Sequence, residues 1–377
     1  MSNTKTPSVL ITGASGFVGS FIVQCALEQG FEVWAAVRKG SSRDYLKDPR
    51  IHFFYLDLSS DDRLEESLEE HRQYYGAWDY VIHAAGATKC RTKSDFYRTN
   101  TDGTLRLARL LVKTSCLAGR FVFISSLSIM GAIREKGDRR QDSPWQYQPI
   151  LDTDAPEPNT VYGKSKWKAE QGLRDIEGLD YVVLRPTGVY GPRDKDYFLM
   201  AKSIAQHVDF AVGYRRQEIT FIYVQDLAEA AISALTKGEK GKAYFLTDGE
   251  VYTSRTFSDL LQQEMGVHRV LHITAPVWVL YLVSVVAETF AAWRKKTSTL
   301  NTDKYRIMKQ RNWRCDIKPA MSDLGYKPKY QLDEGVRLTI KWYAPSPPCT
   351  GTTHPNPPII IRNRASVAPR CPTCGNA

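Results

Sequence analysis

Cysteine is sparse in this sequence, and nothing at its N-terminus has the character of an export signal. The chain has 7 cysteines in 377 residues, and four of them stand singly and far apart, at Cys25, Cys90, Cys116 and Cys315. This spacing excludes the dense disulfide framework of small secreted domains. The first residues, MSNTKTPS, are polar and lack the apolar core of a signal peptide. We therefore expect a reducing compartment, most simply the cytoplasm.

Long apolar runs are missing as well. The longest, residues 275–287 (APVWVLYLVSVVA), has about 13 residues, whereas a transmembrane helix needs about 20. Glu288 follows it, and a basic cluster follows at residues 294–296. The stretch predicts a helix packed within the protein. The alternative is an interfacial helix that makes peripheral membrane contact through residues 275–296.

An excess of positive over negative charge is confined to the C-terminal part of the chain. The formal net charge is +10, and residues 294–343 alone hold 13 basic and 5 acidic residues. Residues 1–293 are close to neutral. A nucleic-acid-binding protein usually carries its positive charge on the main fold, so the sequence predicts no nucleic-acid partner. The HExxH motif of zinc proteases and the GxSxG motif of serine hydrolases are also absent.

The C-terminal segment, residues 344–377, lacks the pattern of a folded region. It holds 8 of the 19 prolines and has no apolar periodicity. We expect either a disordered extension or sequence that is not native to the protein. Cys371 and Cys374 form a CxxC pair, but a zinc site needs four ligands and no second pair accompanies it, so no metal is predicted.

The rest of the chain alternates short apolar strands with amphipathic helices. Strands are predicted at Ser8–Thr12, Glu32–Val37, His52–Asp57, Tyr80–Ala84, Arg120–Ser125, Tyr181–Leu184 and Ala243–Leu246. Helices are predicted at about Gly16–Gln29, Asp61–Gln73, Asn100–Lys113, Tyr162–Ile176 and Asp226–Leu235. This rhythm is typical of βαβ units with right-handed crossovers. It predicts an α/β protein with a doubly wound parallel sheet, the Rossmann fold.

The alternation loosens after Gly191, which suggests two lobes. We assign residues 1–190 and about 221–247 to a dinucleotide-binding domain. Residues of about 191–220 and 248–343 are assigned to a smaller, mostly helical lobe for the substrate. Ligands of a doubly wound sheet bind at the carboxyl ends of its strands, so the site is expected there.

A glycine-rich turn, TGASGFVG, joins the first strand to the first helix. Glycines permit a tight turn and close approach of the backbone, and the helix N-terminus offers free N–H groups to a pyrophosphate. The position between strand and helix at the start of the chain meets the context that such a motif requires. The turn predicts a dinucleotide site at Thr12, Gly13, Ser15, Gly16, Phe17, Val18 and Gly19.

The end of the second strand indicates which dinucleotide binds. NAD-binding folds place an acidic residue there for the ribose hydroxyls, whereas this strand ends in Val37 and Arg38, followed by the turn KGSSR. A guanidinium group at Arg38 suits a 2′-phosphate. NADP(H) is therefore favoured over NAD(H). The alternative is a basic turn that only meets solvent.

Tyr162 and Lys166 begin the helix that follows the fifth strand. Residues four apart share a helix face, so both side chains can project into one cleft. A neighbouring ammonium group favours the phenolate and lowers the pKa of a tyrosine from about 10. A second YxxxK, Tyr305–Lys309, lacks this context. Ser125 and Ser126 end the fifth strand, where a hydroxyl can stabilise charge on a substrate oxygen.

Together these motifs resemble the extended short-chain dehydrogenase/reductase superfamily, the NAD-dependent epimerase/dehydratase family. The resemblance covers about residues 8–343. It rests on TGASGFVG, Asp57-Leu58, the HAAG of residues 83–86, the Asn100-x-x-Gly103-Thr104 pattern, the Ser-Ser strand end and YGKSK. What it implies is an oxidoreductase with Tyr162 as acid/base, Lys166 lowering the pKa of Tyr162 and holding the nicotinamide ribose, and Ser126 orienting the substrate oxygen. Asn100 would support the local water network.

The resemblance also implies further cofactor contacts. Asp57 and Leu58 would meet the adenine. The remaining contacts would come from the strand ends and the segment after the sixth strand, at His83, Ala84, Ala85, Gly86, Ser125, Pro186, Thr187, Gly188 and Val189. At residues 129–131 the chain has Ile-Met-Gly in place of the more common Val-Tyr-Gly.

Three branches of the superfamily match different parts of the chain. LRPTGVYGPRD, TFIYVQDLAEA, GKAYFLTDGEVYT and APVWVLYLVSVVA are similar to the hydroxysteroid and sterol-carboxylate dehydrogenases, which favours an apolar secondary alcohol or ketone as the small-molecule substrate. Nucleotide-sugar epimerases and dehydratases share the first element, and the Val37–Arg38 strand end resembles dihydroflavonol-type reductases. A non-catalytic NADP-binding scaffold is expected to lose Tyr162 or Lys166, and the chain keeps both. The sequence leaves a homodimer open.

Overall fold

The computed structural model describes residues 5–135, 145–294 and 301–344. Within them the strands are β1 (Ser8–Thr12), β2 (Glu32–Val37), β3 (His52–Tyr55), β4 (Trp78–His83), β5 (Leu117–Ile124), β6 (Asp180–Pro186), β7 (Gly188–Tyr190), β8 (Val208–Val212), β9 (Phe221–Tyr223), β10 (Ala243–Leu246) and β11 (Leu271–Ala275). The C-terminal segment from residue 345, with its CxxC pair, and the Lys295–Lys296 part of the basic cluster lie outside the described residues.

The helices cover the sheet and build the smaller lobe. They are α1 (Phe17–Glu28), α2 (Asp61–Tyr75), α3 (Lys93–Tyr97), α4 (Gly103–Lys113), α5 (Val161–Arg174), α6 (Asp196–Ala205), α7 (Val224–Ser233), α8 (Thr256–Glu264), α9 (Val277–Trp293), α10 (Thr302–Lys309), α11 (Lys318–Asp323) and α12 (Leu332–Tyr343). None of these helices is both long enough and apolar enough to cross a membrane.

Seven strands form one parallel sheet in the order β10-β6-β5-β4-β1-β2-β3. The prediction of a doubly wound parallel sheet is therefore confirmed. The strand order reverses between β1 and β4, where crossover helices leave the sheet in opposite directions. Thr12 at the end of β1 pairs with Ala36 of β2 on one side and with His83 of β4 on the other. The carboxyl ends of these three strands thus meet at one crevice.

Two apolar layers enclose the sheet. One layer buries α1 and α7 against it, with Val9, Ile22 and Leu227 at its centre. The other buries α2, α4 and α5, with Leu64 and Leu107 almost completely inaccessible to solvent. Ala320 of α11 and Leu324, the residue after this helix, pack in the first of these layers, although the sequence assigns them to the smaller lobe. A third apolar cluster, around Tyr190, Phe257 and Val336, holds the smaller lobe together.

Most predicted elements form within a few residues of their expected bounds, and the differences have local causes. The strand predicted at His52–Asp57 ends at Tyr55, because the Asp57 carboxylate accepts the N–H of Ser59 and starts a turn. The helix predicted from Asn100 begins with a π-helical turn, Arg98–Asp102, before α4. β5 ends at Ile124, one residue early, and Ser126 then caps a single 3₁₀ turn.

Candidate active site

The glycine-rich turn after β1 has no room for side chains. Gly13 adopts a left-handed φ of 68°, and a Cβ there would lie 2.8 Å from the backbone of Ala84. A Cβ at Gly19 would lie 2.1 Å from the carbonyl oxygen of Gly13. Gly16 precedes α1 as its N-cap and has no capping side chain, so no N-cap side chain occupies the first N–H groups of the helix. This cradle fits the pyrophosphate of a dinucleotide.

A buried hydrogen-bonded chain ties the glycine turn to β4. The Ala85 N–H donates to Thr12 Oγ1, which contacts His83 Nδ1 at 2.8 Å, and His83 Nε2 contacts Thr104 Oγ1 at 2.9 Å. Thr104 donates its own proton to a backbone carbonyl, so His83 must carry its proton on Nε2 and accept one from Thr12. Burial and, to a smaller extent, the charge of Lys166 lower the pKa of His83 to about 3. His83 is therefore a neutral structural link beneath the cofactor cradle.

Tyr162 and Ser126 face each other at the carboxyl end of β5. Thr160 caps α5 by accepting the N–H of Gly163 at 2.9 Å, which places Tyr162 in the first turn of the helix. Burial raises the pKa of Tyr162, and a hydrogen bond from Ser126 opposes that shift. The lowering effect that the sequence assigns to Lys166 stays a prediction, and Ser126 is a second group that lowers the pKa of Tyr162.

Lys166 lies one turn farther along α5 and is buried. Its Nζ donates to the carbonyl oxygen of Ile124 at 2.8 Å and lies 4.6 Å from the centre of the Phe123 ring. Burial lowers the Lys166 pKa to about 8, and the charge of Glu170 acts in the opposite direction. A Cβ at Gly86 would lie 3.0 Å from this Nζ, so the cofactor-side loop passes close to the ammonium group.

Asn100 connects this loop to α5. Its amide oxygen accepts the N–H of Ala87 at 2.7 Å, and its amide nitrogen donates to the carbonyl oxygen of Ala87 and to Ser165 Oγ, each at 3.0 Å. Ser165 in turn donates to the carbonyl oxygen of Tyr162. The π-helical turn directs this buried amide toward α5. In the described structure Asn100 therefore acts through protein contacts, as a positioning residue.

The two serines at the end of β5 have different environments. Ser126 contacts Tyr162, whereas the hydroxyl of Ser125 donates to Oε1 of Glu170. Glu170 also binds Arg185, with 2.6 Å between Oε2 and Nη2, and both side chains are almost completely buried. Sequence reasoning missed this ion pair. The spacing of Tyr162, Lys166 and Glu170, each four residues after the last, was a signal that would have placed all three on one face of α5.

The adenosine end of the crevice lies at the ends of β2 and β3. Arg38 is exposed and directly follows the last residue of β2. Arg43 is engaged by the protein: its guanidinium lies 4.0 Å from the centre of the Phe53 ring and donates to the hydroxyl of Tyr55, the last residue of β3. Arg38 is therefore the arginine of this turn that has no side-chain partner among the described residues.

Asp57 and Leu58 follow β3, near the same end. Two hydrogen bonds from Ser59 lower the pKa of Asp57 to about 2, and Arg63 makes a smaller contribution in the same direction. Leu58 is partly buried against the α4 side of the sheet, beside Gly103. The carboxylate is thus fixed in position and ionised.

The segment Pro186–Val189 crosses from the sheet to the smaller lobe. Thr187 donates its hydroxyl to the carbonyl oxygen of Thr220, and its N–H to that of Leu246. A Cβ at Gly188 would lie 2.6 Å from the hydroxyl of Tyr197. The predicted contact residues here are therefore held rigidly between the two lobes.

The smaller lobe contacts α5 through α10. Asp303 accepts the N–H of Val161 at 2.8 Å and that of Tyr162 at 3.4 Å, so its carboxylate supports the positive end of α5. The other end of α10 borders a cleft of about 420 Å³. Its lining is apolar at Val212, Pro276, Val277 and Met308 and basic at Arg215 and Lys309. One helix thus joins Tyr162 to a cleft of mixed apolar and basic character.

The sheet order, the glycine cradle and the Tyr162–Lys166 pair together define a dinucleotide-dependent oxidoreductase. Residues 9–247 match the model of the NAD dependent epimerase/dehydratase family. The chain belongs to this family, and it is an NAD(P)-dependent enzyme. The match ends just after β10, the last strand of the large sheet.

Relatives of two kinds resemble the chain over most of its length. It is 25% identical over 338 residues to the decarboxylating sterol-4-alpha-carboxylate 3-dehydrogenase of Dictyostelium discoideum, covering 87% of this chain and 98% of the relative. The UDP-glucose 4-epimerase of Thermotoga maritima, solved with UDP-glucose, aligns with a TM-score of 0.69 at 23% identity over 89% and 98% of the two chains. The dTDP-glucose 4,6-dehydratase of Bacillus anthracis, solved with NAD, aligns with a TM-score of 0.68 at 18% identity, covering 90% of this chain and 96% of the dehydratase.

Proposed function

We propose that this protein is an NADP(H)-dependent dehydrogenase that interconverts a secondary alcohol and a ketone on an apolar, steroid-like substrate. The observation that carries the proposal is the convergence of Tyr162, Ser126 and Lys166 at the carboxyl end of β5, beside the glycine cradle. An acid/base group, a hydroxyl donor and a buried cation are the groups that hydride transfer to a carbonyl requires.

Each side chain has a defined part in the reaction. The bound nicotinamide supplies or accepts the hydride at the carbinol carbon. In the oxidation, Tyr162 takes the hydroxyl proton of the substrate while Ser126 holds the same oxygen by a hydrogen bond; in the reduction Tyr162 returns the proton. Lys166 favours the phenolate by its charge and is placed to bind the nicotinamide ribose.

The cleft beside α10 supports an apolar substrate. Four of the residues that line it are apolar: Val212, Pro276, Val277 and Met308. Val277 is the first residue of α9. The name of the Dictyostelium relative, sterol-4-alpha-carboxylate 3-dehydrogenase, describes an enzyme that acts on a sterol, which is an apolar substrate. The basic residues Arg215 and Lys309 at the same cleft suit an anionic substituent, either a carboxylate or the diphosphate of a nucleotide sugar.

A nucleotide-sugar epimerase is the second candidate, favoured by these basic residues and by the fold shared with the Thermotoga enzyme. A substrate screen separates the two. UDP- and dTDP-sugars are offered beside 3-hydroxysteroids, 4-carboxysterols and small aryl ketones, and both nicotinamide absorbance and sugar identity are followed. We expect continuous reduction of cofactor with a steroid-like alcohol. Interconversion of a nucleotide sugar without net change in cofactor would overturn the choice, since an epimerase returns its hydride.

Cofactor preference provides a separate prediction. Arg38→Ala is expected to weaken NADP(H) binding about 10- to 100-fold and to leave NAD(H) nearly unchanged, because a hydrogen bond to a charged group contributes about 1.5–3 kcal/mol. Arg43→Ala is the matched control, since Arg43 lies in the same turn but is held by Phe53 and Tyr55. Fluorescence titration of both cofactors against the three proteins measures the effect. A wild-type protein that binds NAD(H) more tightly than NADP(H) contradicts the proposal.

A further inference from the structure

Helix α9 has the composition of a core helix but lies at the surface. Residues 277–287 carry no charged side chain. Trp278 is 66% exposed and Val286 68%, and Leu282 between them is also exposed, whereas Leu280 and Ser284 are buried. Surface helices of soluble proteins normally turn polar residues toward water. Here the arc that faces away from the protein is apolar.

The strand pair next to α9 extends this apolar surface. β8 and β11 are parallel, and Phe210 is paired with Ile273, so their side chains lie on one face of the pair. Phe210 and Leu271 on this face are more than half exposed, as is Tyr214 just after β8. We call the exposed residues Phe210, Tyr214, Leu271, Trp278, Leu282 and Val286 the docking face. Its two parts adjoin where Gly213 meets Val277 at the start of α9.

The segments that carry the docking face are basic at their edges. Residues 207–217 and 268–294 contain the exposed arginines Arg215, Arg216, Arg269 and Arg294 and two acidic residues. Both acidic residues are engaged by the protein: Asp209 is buried beside His272, and Glu288 accepts the N–H of Thr302. An apolar surface bordered by arginines is complementary to a layer with an apolar interior and anionic headgroups.

We propose that the docking face binds the surface of an anionic lipid membrane, with α9 lying in the plane of the interface. The apolar part of α9 is too short to span a bilayer, and no described helix of this protein has the length and hydrophobicity to do so. Pro276 and Val277 belong both to this segment and to the lining of the cleft beside α10. The bound protein would therefore hold the cleft next to the bilayer.

Flotation of the full-length protein with vesicles tests this binding. We expect it to float with phosphatidylcholine vesicles that contain phosphatidylglycerol at about 0.05 M salt, and to float much less at about 0.5 M salt, where exposed charges are screened. Pure phosphatidylcholine vesicles should retain it more weakly. Absence of flotation with the anionic vesicles at low salt overturns the proposal.

A matched pair of variants assigns the binding to the docking face. Trp278→Ser combined with Val286→Ser is expected to lower the partition coefficient about tenfold or more, since burial of each apolar side chain contributes to binding. Both side chains are more than 60% exposed, so the fold should tolerate the changes. Tyr74→Ser is the control, because Tyr74 is 69% exposed on α2 in the other domain.

Two results would contradict the binding of lipid by the docking face. If the double variant floats like the wild type, the face does not bind lipid. If the wild type is a dimer that the double variant dissociates while neither protein floats, the occupant is a second copy of the chain. Tyr162→Phe should float like the wild type, so a failure of the proposed chemistry and a failure of membrane binding are distinguishable.

Discussion

Replacing Tyr162 with phenylalanine is expected to lower turnover about 100- to 10,000-fold, the contribution that proton transfer by a positioned side chain makes. Phenylalanine keeps the ring and its packing against Phe96, whose ring centre lies 6.5 Å away. The melting temperature and the affinity for cofactor should therefore stay close to those of the wild type. Steady-state oxidation of the alcohol identified in the substrate screen, followed by nicotinamide absorbance, measures the effect.

The chain contains its own control for this substitution. Tyr305 begins the second YxxxK sequence, but it lies on α10 and packs against Tyr281, with 5.2 Å between the ring centres. Tyr305→Phe should retain wild-type turnover. The assignment of Tyr162 is wrong if Tyr162→Phe also retains it, or if both variants lose turnover to the same extent.

The second large effect concerns stability. Arg185→Met is expected to lower the free energy of unfolding by about 3–5 kcal/mol, because it leaves the Glu170 carboxylate buried without its cation. Arg185 and Glu170 have side chains that are 5% and 2% exposed, and Ser125 is then the remaining hydrogen-bond donor to this carboxylate among the described contacts. Urea denaturation of the variant and the wild type, with cofactor absent from both, gives the difference.

A surface pair provides the matched comparison. Arg337 lies 3.4 Å from Glu334 on α12, and both side chains are about half exposed. Arg337→Met should cost no more than about 1 kcal/mol, since exposed ion pairs contribute little. Combining Glu170→Gln with Arg185→Met removes both buried charges and should recover part of the lost stability. If Arg185→Met and Arg337→Met lower the free energy of unfolding by the same amount, the buried pair contributes no more to stability than the exposed one.

The large domain followed from the sequence because its strands are short, apolar and regularly separated by helices. β2 and β10 form over the residues predicted for them, Glu32–Val37 and Ala243–Leu246. The structure departs from the prediction where a polar side chain competes with the regular element, as Asp57 does after β3. The place of α11 could not be predicted, because a six-residue helix does not itself show which apolar layer buries it.

The parts of the candidate site that depend on backbone conformation and residue spacing were predictable from the sequence. The hydrogen-bond and ion-pair partners of individual side chains were less so. The glycine turn and the i, i+4 pair Tyr162 and Lys166 lie at the crevice as the motifs require. Which of two adjacent serines faces Tyr162 depends on the buried pair formed by Glu170 with Arg185, and this pair joins residues of α5 and β6. The support that Asp303 gives to α5 spans 142 positions of the chain, which no local pattern reveals.

Transfer of deuterium tests the proposed reaction most directly. A steroid-like alcohol labelled with deuterium at the carbinol carbon is incubated with the wild-type protein and oxidised NADP, and both products are examined by mass spectrometry. The proposed function predicts a ketone without the label and reduced cofactor that carries one deuterium, with no transfer by Tyr162→Phe beyond its residual rate. Deuterium that remains on the alcohol, or that is found only on an isomerised nucleotide sugar in a parallel reaction, would contradict it.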